Sequence, residues 1–169
     1  IFVAGHNGMV GSAIYKKLKL NGYKNILVRT RKDLNLLDQS KTFHFLKKNK
    51  PYFVILAAAK VGGIKDNAKN KDKFIYENLQ IQNNIIHGSY LAGVKNLFLL
   101  GSSCIYPKLC KQPMKEKYLL TGPLEETNDA YSIAKIAGLK MCEYYSNVYN
   151  LNFKSIMPPN LYGPNDNFD

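Results

Sequence analysis

The stretch "IFVAGHNGMVG" (residues 1–11) joins an apolar run to three glycines spaced three apart, Gly5, Gly8 and Gly11. The run "IFVAG" (1–5) reads as a buried strand, and the glycines fall where it turns into an amphipathic helix, "MVGSAIYKKLKLNG" (9–22), ending near Gly22. The same alternation continues outward. "NILV" (25–28) reads as a second strand, and "QSKTFHFLKKNK" (39–50) as a helix that Asp38 caps. "YFVILAAA" (52–59) is a buried strand followed by a Gly- and Lys-rich loop, and "DKFIYENLQIQNNIIHGSYLAG" (72–93) a long helix stopped near Gly93. "NLFLLGSS" (96–103), "NDAYSIAKIAGLKMCEYYSNVYN" (128–150) and "FKSIM" (153–157) then read as strand, helix and fifth strand. Unbroken apolar strands separated by helices predict an α/β fold, a doubly wound parallel sheet with helices on both faces. Ligands of such a sheet lie at the carboxyl ends of its strands.

At 169 residues the chain is the size of one domain. Hydrophobic content of 46% and charged content of 21% suit a globular protein. No apolar run approaches the roughly 18 residues of a membrane span, and no signal-peptide pattern opens the chain, so no membrane role is expected. Cys104, Cys110 and Cys142 are an odd number without a CxxC spacing, which indicates neither a disulfide framework nor a zinc site and favours a reducing, cytoplasmic setting. The net charge of +12 comes mostly from lysines scattered among asparagines, as in "KKNK" (47–50) and "NAKNKDK" (67–73), with arginine only at 29 and 31. Nucleic-acid binders concentrate Arg and aromatics on one face, so the charge reads as solvated surface that also favours anionic nucleotides. The first strand starts abruptly without an initiator Met, and the chain stops inside "YGPNDNFD" (162–169). The expectation is therefore one domain over 1–169, the N-terminal part of a longer enzyme whose substrate-binding part is not in this chain.

The spacing G-x-x-G-x-x-G after a first strand is a relative of the dinucleotide fingerprint of Rossmann-type sheets. Glycine permits the tight turn and a close backbone approach to the pyrophosphate, and the helix N-terminus favours the anion. After the second strand an acid would hydrogen-bond the 2′-hydroxyl of NAD; here "VRTRKD" (28–33) carries Arg29 and Arg31 and no acid before Asp33. A guanidinium suits a 2′-phosphate, so NADP is favoured, unless the two arginines are merely exposed. Tyr131 and Lys135 lie four apart and share a helix face. A phenol titrates near 10, so proton exchange at neutral pH calls for a neighbouring cation, which Lys135 could supply. Ser102 closes the fourth strand about thirty residues upstream, and Cys104 follows two places later. On its residues alone, Cys104 reads as a small buried hydrophobe.

Gly5–Gly8–Gly11, Ser102 and Tyr131/Lys135, in this order and spacing along the full length, resemble the extended short-chain dehydrogenase/reductase family. The resemblance implies Tyr131 as proton donor or acceptor, Lys135 as its activator and ribose ligand, and Ser102 as hydrogen-bond donor to a substrate carbonyl. "AAAKVGGI" (57–64), "FIYENLQIQNNIIH" (74–87), "LGSSCIYPK" (100–108) and "NLYGPNDNF" (160–168) are similar to one branch of it. That branch epimerises C3 and C5 of GDP-4-keto-6-deoxy-D-mannose and reduces C4 with NADPH. The C4 ketone acidifies both neighbouring C–H bonds, and the resemblance implies that Cys104 is an epimerisation acid/base. The family's second such group is a histidine beyond the "YGPNDNF" loop; His6, His44 and His87 do not match it, so this chain alone is expected to be inactive.

By the same resemblance the cofactor would contact Gly5, His6, Asn7, Gly8, Met9, Val10 and Gly11 in the turn, and Arg29 and Arg31. Leu36 and Ala58 would line its adenine and ribose side, with Leu100 and Gly101 at the fourth strand's end and Pro158, Asn160 and Leu161 at the nicotinamide. Asn7 stands where the family often has arginine, and Pro159 where it often has threonine. A homodimer through helices 72–93 and 128–150 is also implied. Other nucleotide-sugar epimerases, dehydratases or 4-ketoreductases of the family stay open. A 4,6-dehydratase would place Thr-Asp-Glu after the serine, where "SSCIYP" (102–107) has no carboxylate, and a simple 4-epimerase would carry an acid after strand two. A non-catalytic NADP-binding regulator would be marked by loss of Tyr131 or Lys135, and both are present.

Overall fold

Strand β1 (Phe2–Ala4) is wholly buried and ends where Gly5 turns the chain with φ 91°. A Cβ at Gly5 would sit 2.6 Å from the Ala58 nitrogen, and one at Gly11 would run into the Gly5 carbonyl oxygen. These two positions need glycine for backbone reasons, and they lay helix α1 (Met9–Leu20) directly against the strand end. The computed structural model describes residues 1–166. The end of the "YGPNDNFD" loop, residues 167–169, lies outside the described residues.

Helix α2 (Gln39–Asn49) starts as expected, the Asp38 carboxylate accepting from the Lys41 N–H at 3.0 Å. It leads to β2 (Phe53–Leu56), a six-residue helix α3 (Ile64–Lys69) and the long α4 (Lys71–Leu91). Then come β3 (Asn96–Leu100), a loop with short 3₁₀ turns at Ser103–Ile105 and Glu116–Tyr118, helix α5 (Asp129–Tyr149) and β4 (Asn152–Ile156). The four strands form one parallel sheet in the order β1-β2-β3-β4. Among the described residues no helix is long and apolar enough to cross a membrane.

Two expectations are corrected. Residues 25–28 do not form a strand: Leu27 alone bridges Phe2, with Val3 N–H donating to Leu27 at 3.0 Å and Leu27 N–H to Ile1 at 2.7 Å. The partner strand is only three residues long before Gly5 turns it away, so there is little backbone to pair with. The Gly- and Lys-rich loop also contains helix α3, held by buried Asn67, whose amide donates to the Gly62 and Gly63 carbonyls. The fold class itself stands, a parallel sheet with packed helices. With Leu27 on one side of β1 and β2 on the other, the order in which the chain adds strands reverses at β1, and that switch point opens a crevice at the strands' carboxyl ends.

Val54, Leu56, Leu97 and Leu99 are fully buried in one cluster with Phe45 and Leu46 of α2 and Ile85 and Ile86 of α4. Gly88 brings α4 close to Phe43 and Leu46, and Gly138 brings α5 against Gln82, whose side-chain amide donates to the Ala134 carbonyl at 2.8 Å. Helices α2, α4 and α5 thus form a continuous layer, which fixes where the first turns of α5 meet the end of β3.

Candidate active site

A cleft of about 640 Å³ occupies the switch point. Its floor is the glycine turn from Gly5 to Gly11, including His6, Asn7, Met9 and Val10; its far wall carries Arg29, Arg31 and Leu36, and its near wall Ala57, Ala58 and Ala59. The turn, the arginines, Leu36 and Ala58 therefore come together as the sequence led us to expect. The walls are pinned from α4. The Asn78 side chain accepts from the Lys60 N–H at 2.9 Å and donates to the Lys60 carbonyl at 3.0 Å, clamping the strand-end loop in both directions. Asn84 donates to the Leu36 carbonyl at 2.7 Å. Asn165 donates to the Ser12 hydroxyl at 3.0 Å, tying the 162–166 segment to α1 beside the cleft.

The arginines are less free than their positions in the sequence indicate. Arg29 donates to the Val28 carbonyl at 2.7 Å, and its guanidinium lies 5.2 Å from the Phe45 ring centre. Arg31 is 3.7 Å from the Glu77 carboxylate, with 75% of its side chain exposed. An exposed pair of this length is weak, so Arg31 can turn to another anion with little loss.

The second cluster sits where β3 meets the start of α5. The Ser102 hydroxyl accepts from the Cys104 N–H at 3.2 Å and opens the 3₁₀ turn. Lys135, 3% exposed, donates its ammonium to the Leu100 carbonyl at 2.7 Å and lies 5.7 Å from the Tyr131 ring centre. Burial lowers the Lys135 ammonium to about 8. Burial pushes the Tyr131 phenol up to about 12, the Cys104 charge adds to the rise, and a hydrogen bond with Ser102 opposes it. This reverses the expected direction for Tyr131. The ammonium is bonded to a carbonyl and lies 5.7 Å from the ring centre, while Cys104 stands near as a potential negative charge. The phenol therefore stays protonated through the neutral range.

Gly101 donates from its N–H to the Ile156 carbonyl at 2.8 Å and fixes the end of β3 to that of β4. Pro158, Asn160 and Leu161 follow β4 without lining the cleft, and the latter two are exposed. Asn78 and Asn84 went unremarked because "ENLQIQNN" (77–84) reads as a polar stretch of helix, and only their burial marks them as long-range polar clamps.

A family model described as the NAD dependent epimerase/dehydratase family matches residues 1–169. The chain is 53% identical over 168 residues to a GDP-L-fucose synthase of Escherichia coli K12, covering 99% of this chain and 52% of that protein. A GDP-D-glycero-L-gluco-heptose synthase of Campylobacter jejuni, solved in the presence of NADPH, superposes with a TM-score of 0.94 at 43% identity, over 99% of this chain and 49% of that one. A GDP-L-fucose synthetase of Naegleria fowleri bound to NADP gives a TM-score of 0.89 at 32% identity, over 99% and 52%. The chain spans about half the length of the relatives it matches.

Proposed function

Since the chain belongs to the NAD dependent epimerase/dehydratase family, we propose that residues 1–169 are the NADP-binding part of an enzyme that converts GDP-4-keto-6-deoxy-D-mannose to GDP-L-fucose. The observation that carries this reading is the joining of Ser102, Cys104, Tyr131 and Lys135 at the end of β3, the neighbour of the strand whose end, Ala57 to Ala59, walls the cleft. Carbonyl reduction on this fold needs the tyrosine and lysine; the thiol beside them adds proton chemistry next to a carbonyl.

The cleft suits a dinucleotide. A side chain at Gly5 or Gly11 would collide with backbone, and the glycine turn therefore keeps a bare, close surface at the N-terminus of α1. Gly5 to Gly11 would hold the pyrophosphate, Arg31 and Arg29 the 2′-phosphate, and Leu36 and Ala58 the adenine side. The dinucleotide supplies hydride to C4 when bound. Ser102 hydrogen-bonds the C4 oxygen. Cys104 as thiolate removes a proton from a carbon next to the ketone, or as thiol returns one, and an opposing group completes each inversion. Tyr131 gives its phenolic proton to the C4 oxygen during reduction, and the Lys135 ammonium stabilises the phenolate left behind.

Two predictions follow from this assignment of residues. Arg31→Ala loosens NADPH about tenfold while changing NADH less than about twofold, and Glu77→Gln, which releases Arg31, tightens NADPH a few-fold. Titration of cofactor fluorescence on the full-length protein reads both; equal effects on the two cofactors would remove Arg31 from the 2′-phosphate. The second concerns pH. Lys135 is depressed to about 8, so its ammonium is present below that pH and lost as pH rises through it. The kcat/KM for NADPH, which reports groups of the cofactor-free enzyme, falls by about tenfold per unit above pH 8. A profile flat from pH 7 to 9.5 would show that the charge on Lys135 is not required.

Within the same proposal, the full-length enzyme works as a homodimer in a reducing, cytoplasmic setting. Exposed Leu91 on α4 and exposed Tyr144, Val148 and Tyr149 on α5 support a contact through these helices. A second reading, reduction of a GDP-4-keto sugar without inversion, is favoured by the likeness, with a TM-score of 0.94 at 42% identity, to a GDP-mannoheptose C4 reductase of Campylobacter jejuni. The experiment that separates them supplies the full-length protein with GDP-4-keto-6-deoxy-mannose and NADPH and determines the product's ring configuration by NMR. The L-galacto configuration supports the epimerase–reductase, and a product inverted at neither C3 nor C5 supports the plain reductase.

A further inference from the structure

Ser132 follows Tyr131 on α5, is fully buried, and is not among the residues to which the sequence assigned a role. Its hydroxyl donates to the Cys104 carbonyl at 2.8 Å, across 28 residues of chain, with the Asn128 side-chain oxygen at 3.3 Å as a more distant acceptor. A hydroxyl has one proton, and the shorter contact takes it. The other end of the same turn is held by the Cys104 N–H to Ser102 hydroxyl bond at 3.2 Å. Cys104 is thus gripped through both its peptide groups, once from the strand end and once from the helix that carries Tyr131 and Lys135. Lys135 is anchored separately, on the Leu100 carbonyl. Ser102 meets both Tyr131 and the Cys104 turn, but the Ser132 hydroxyl reaches the turn alone, so a substitution at Ser132 can disturb the turn without removing a bond of Tyr131 or Lys135.

We propose that Ser132 is a positioning residue for epimerisation, locking the Cys104 turn to α5 so that the thiol addresses the carbons beside the same ketone that Tyr131 protonates. This rests on the reading of Cys104 as an acid/base. Ser132→Ala fits the space of the native side chain and frees the Cys104 carbonyl, so the turn can shift while the Tyr131 and Lys135 helix stays in place. A misplacement of even about 1 Å costs an acid/base group one to two orders of magnitude in rate.

The test uses the full-length protein in deuterated water. Without NADPH, Ser132→Ala is expected to slow deuterium uptake at C3 and C5 about tenfold. With NADPH it is expected to yield a fraction of product reduced without inversion, while the NADPH dissociation constant stays within about twofold. In parallel, alkylation of Cys104 by iodoacetamide, followed by peptide mass, is expected to change rate, with Cys110 on the neighbouring loop as internal reference. Equal loss of deuterium uptake and hydride transfer, or neither loss nor altered Cys104 alkylation, would overturn the proposal. If the native protein itself takes up no deuterium, the reading of Cys104 falls first and this role for Ser132 with it. If the native protein exchanges and Ser132→Ala exchanges equally fast, only the role of Ser132 falls.

Discussion

Tyr131→Phe is expected to lower hydride transfer to C4 by about a thousandfold while deuterium uptake at C3 and C5 falls far less. The phenol is held protonated by burial, which is the form a reductase needs at the moment the C4 oxygen becomes basic. Phenylalanine keeps the ring, and with it the packing of the first turn of α5 and the ring surface 5.7 Å from the Lys135 ammonium, and removes only the acid. Ser102 remains to polarise the ketone, so the neighbouring C–H bonds stay acidic. Single-turnover NADPH oxidation and deuterium uptake measured on the same variant separate the two steps. If both collapse together, Tyr131 also serves the epimerisation and the division of labour argued above is wrong.

Cys104→Ser has the complementary signature. A hydroxyl keeps the approximate size and the backbone bonds to Ser102 and Ser132, but it is a far weaker acid than a thiol. Deuterium uptake is expected to drop by about a hundredfold or more, within the range that a positioned acid or base supplies. Because Tyr131, Lys135 and the cleft are untouched, reduction continues and the product shifts toward sugar reduced without inversion. The measurement is the configuration of the product by NMR, together with the exchange rate. Unchanged exchange would return Cys104 to the role of a packing residue.

The long helices and the glycine turn were legible because their signals are local. Helix 72–93 was expected and α4 spans Lys71–Leu91; Gly93, with φ 78°, stops it as a glycine C-terminus does. Helix 128–150 was expected and α5 spans Asp129–Tyr149. The apolar run at 25–28 misled because pairing depends on the partner's length, and β1 offers three residues. The site was legible in its residue types and not in its couplings. Arg31 meets Glu77, Asn84 meets Leu36 and Ser132 meets Cys104 across 46, 48 and 28 residues, distances at which no periodicity carries information. The direction of the Tyr131 shift was missed for the same reason, since burial and the neighbouring thiol raise it against only a hydrogen bond with Ser102, and the Lys135 ammonium is bonded to the Leu100 carbonyl.

The central claim is that one strand end does both inversion and reduction. The most direct measurement incubates the full-length protein with GDP-4-keto-6-deoxy-mannose in deuterated water without NADPH and reads C3 and C5 by NMR and mass. Deuterium at both carbons before any reduction is the predicted result. Its absence at both, alongside normal NADPH-dependent reduction of the ketone, would contradict the account and leave a 4-ketoreductase in which Cys104 has no chemistry.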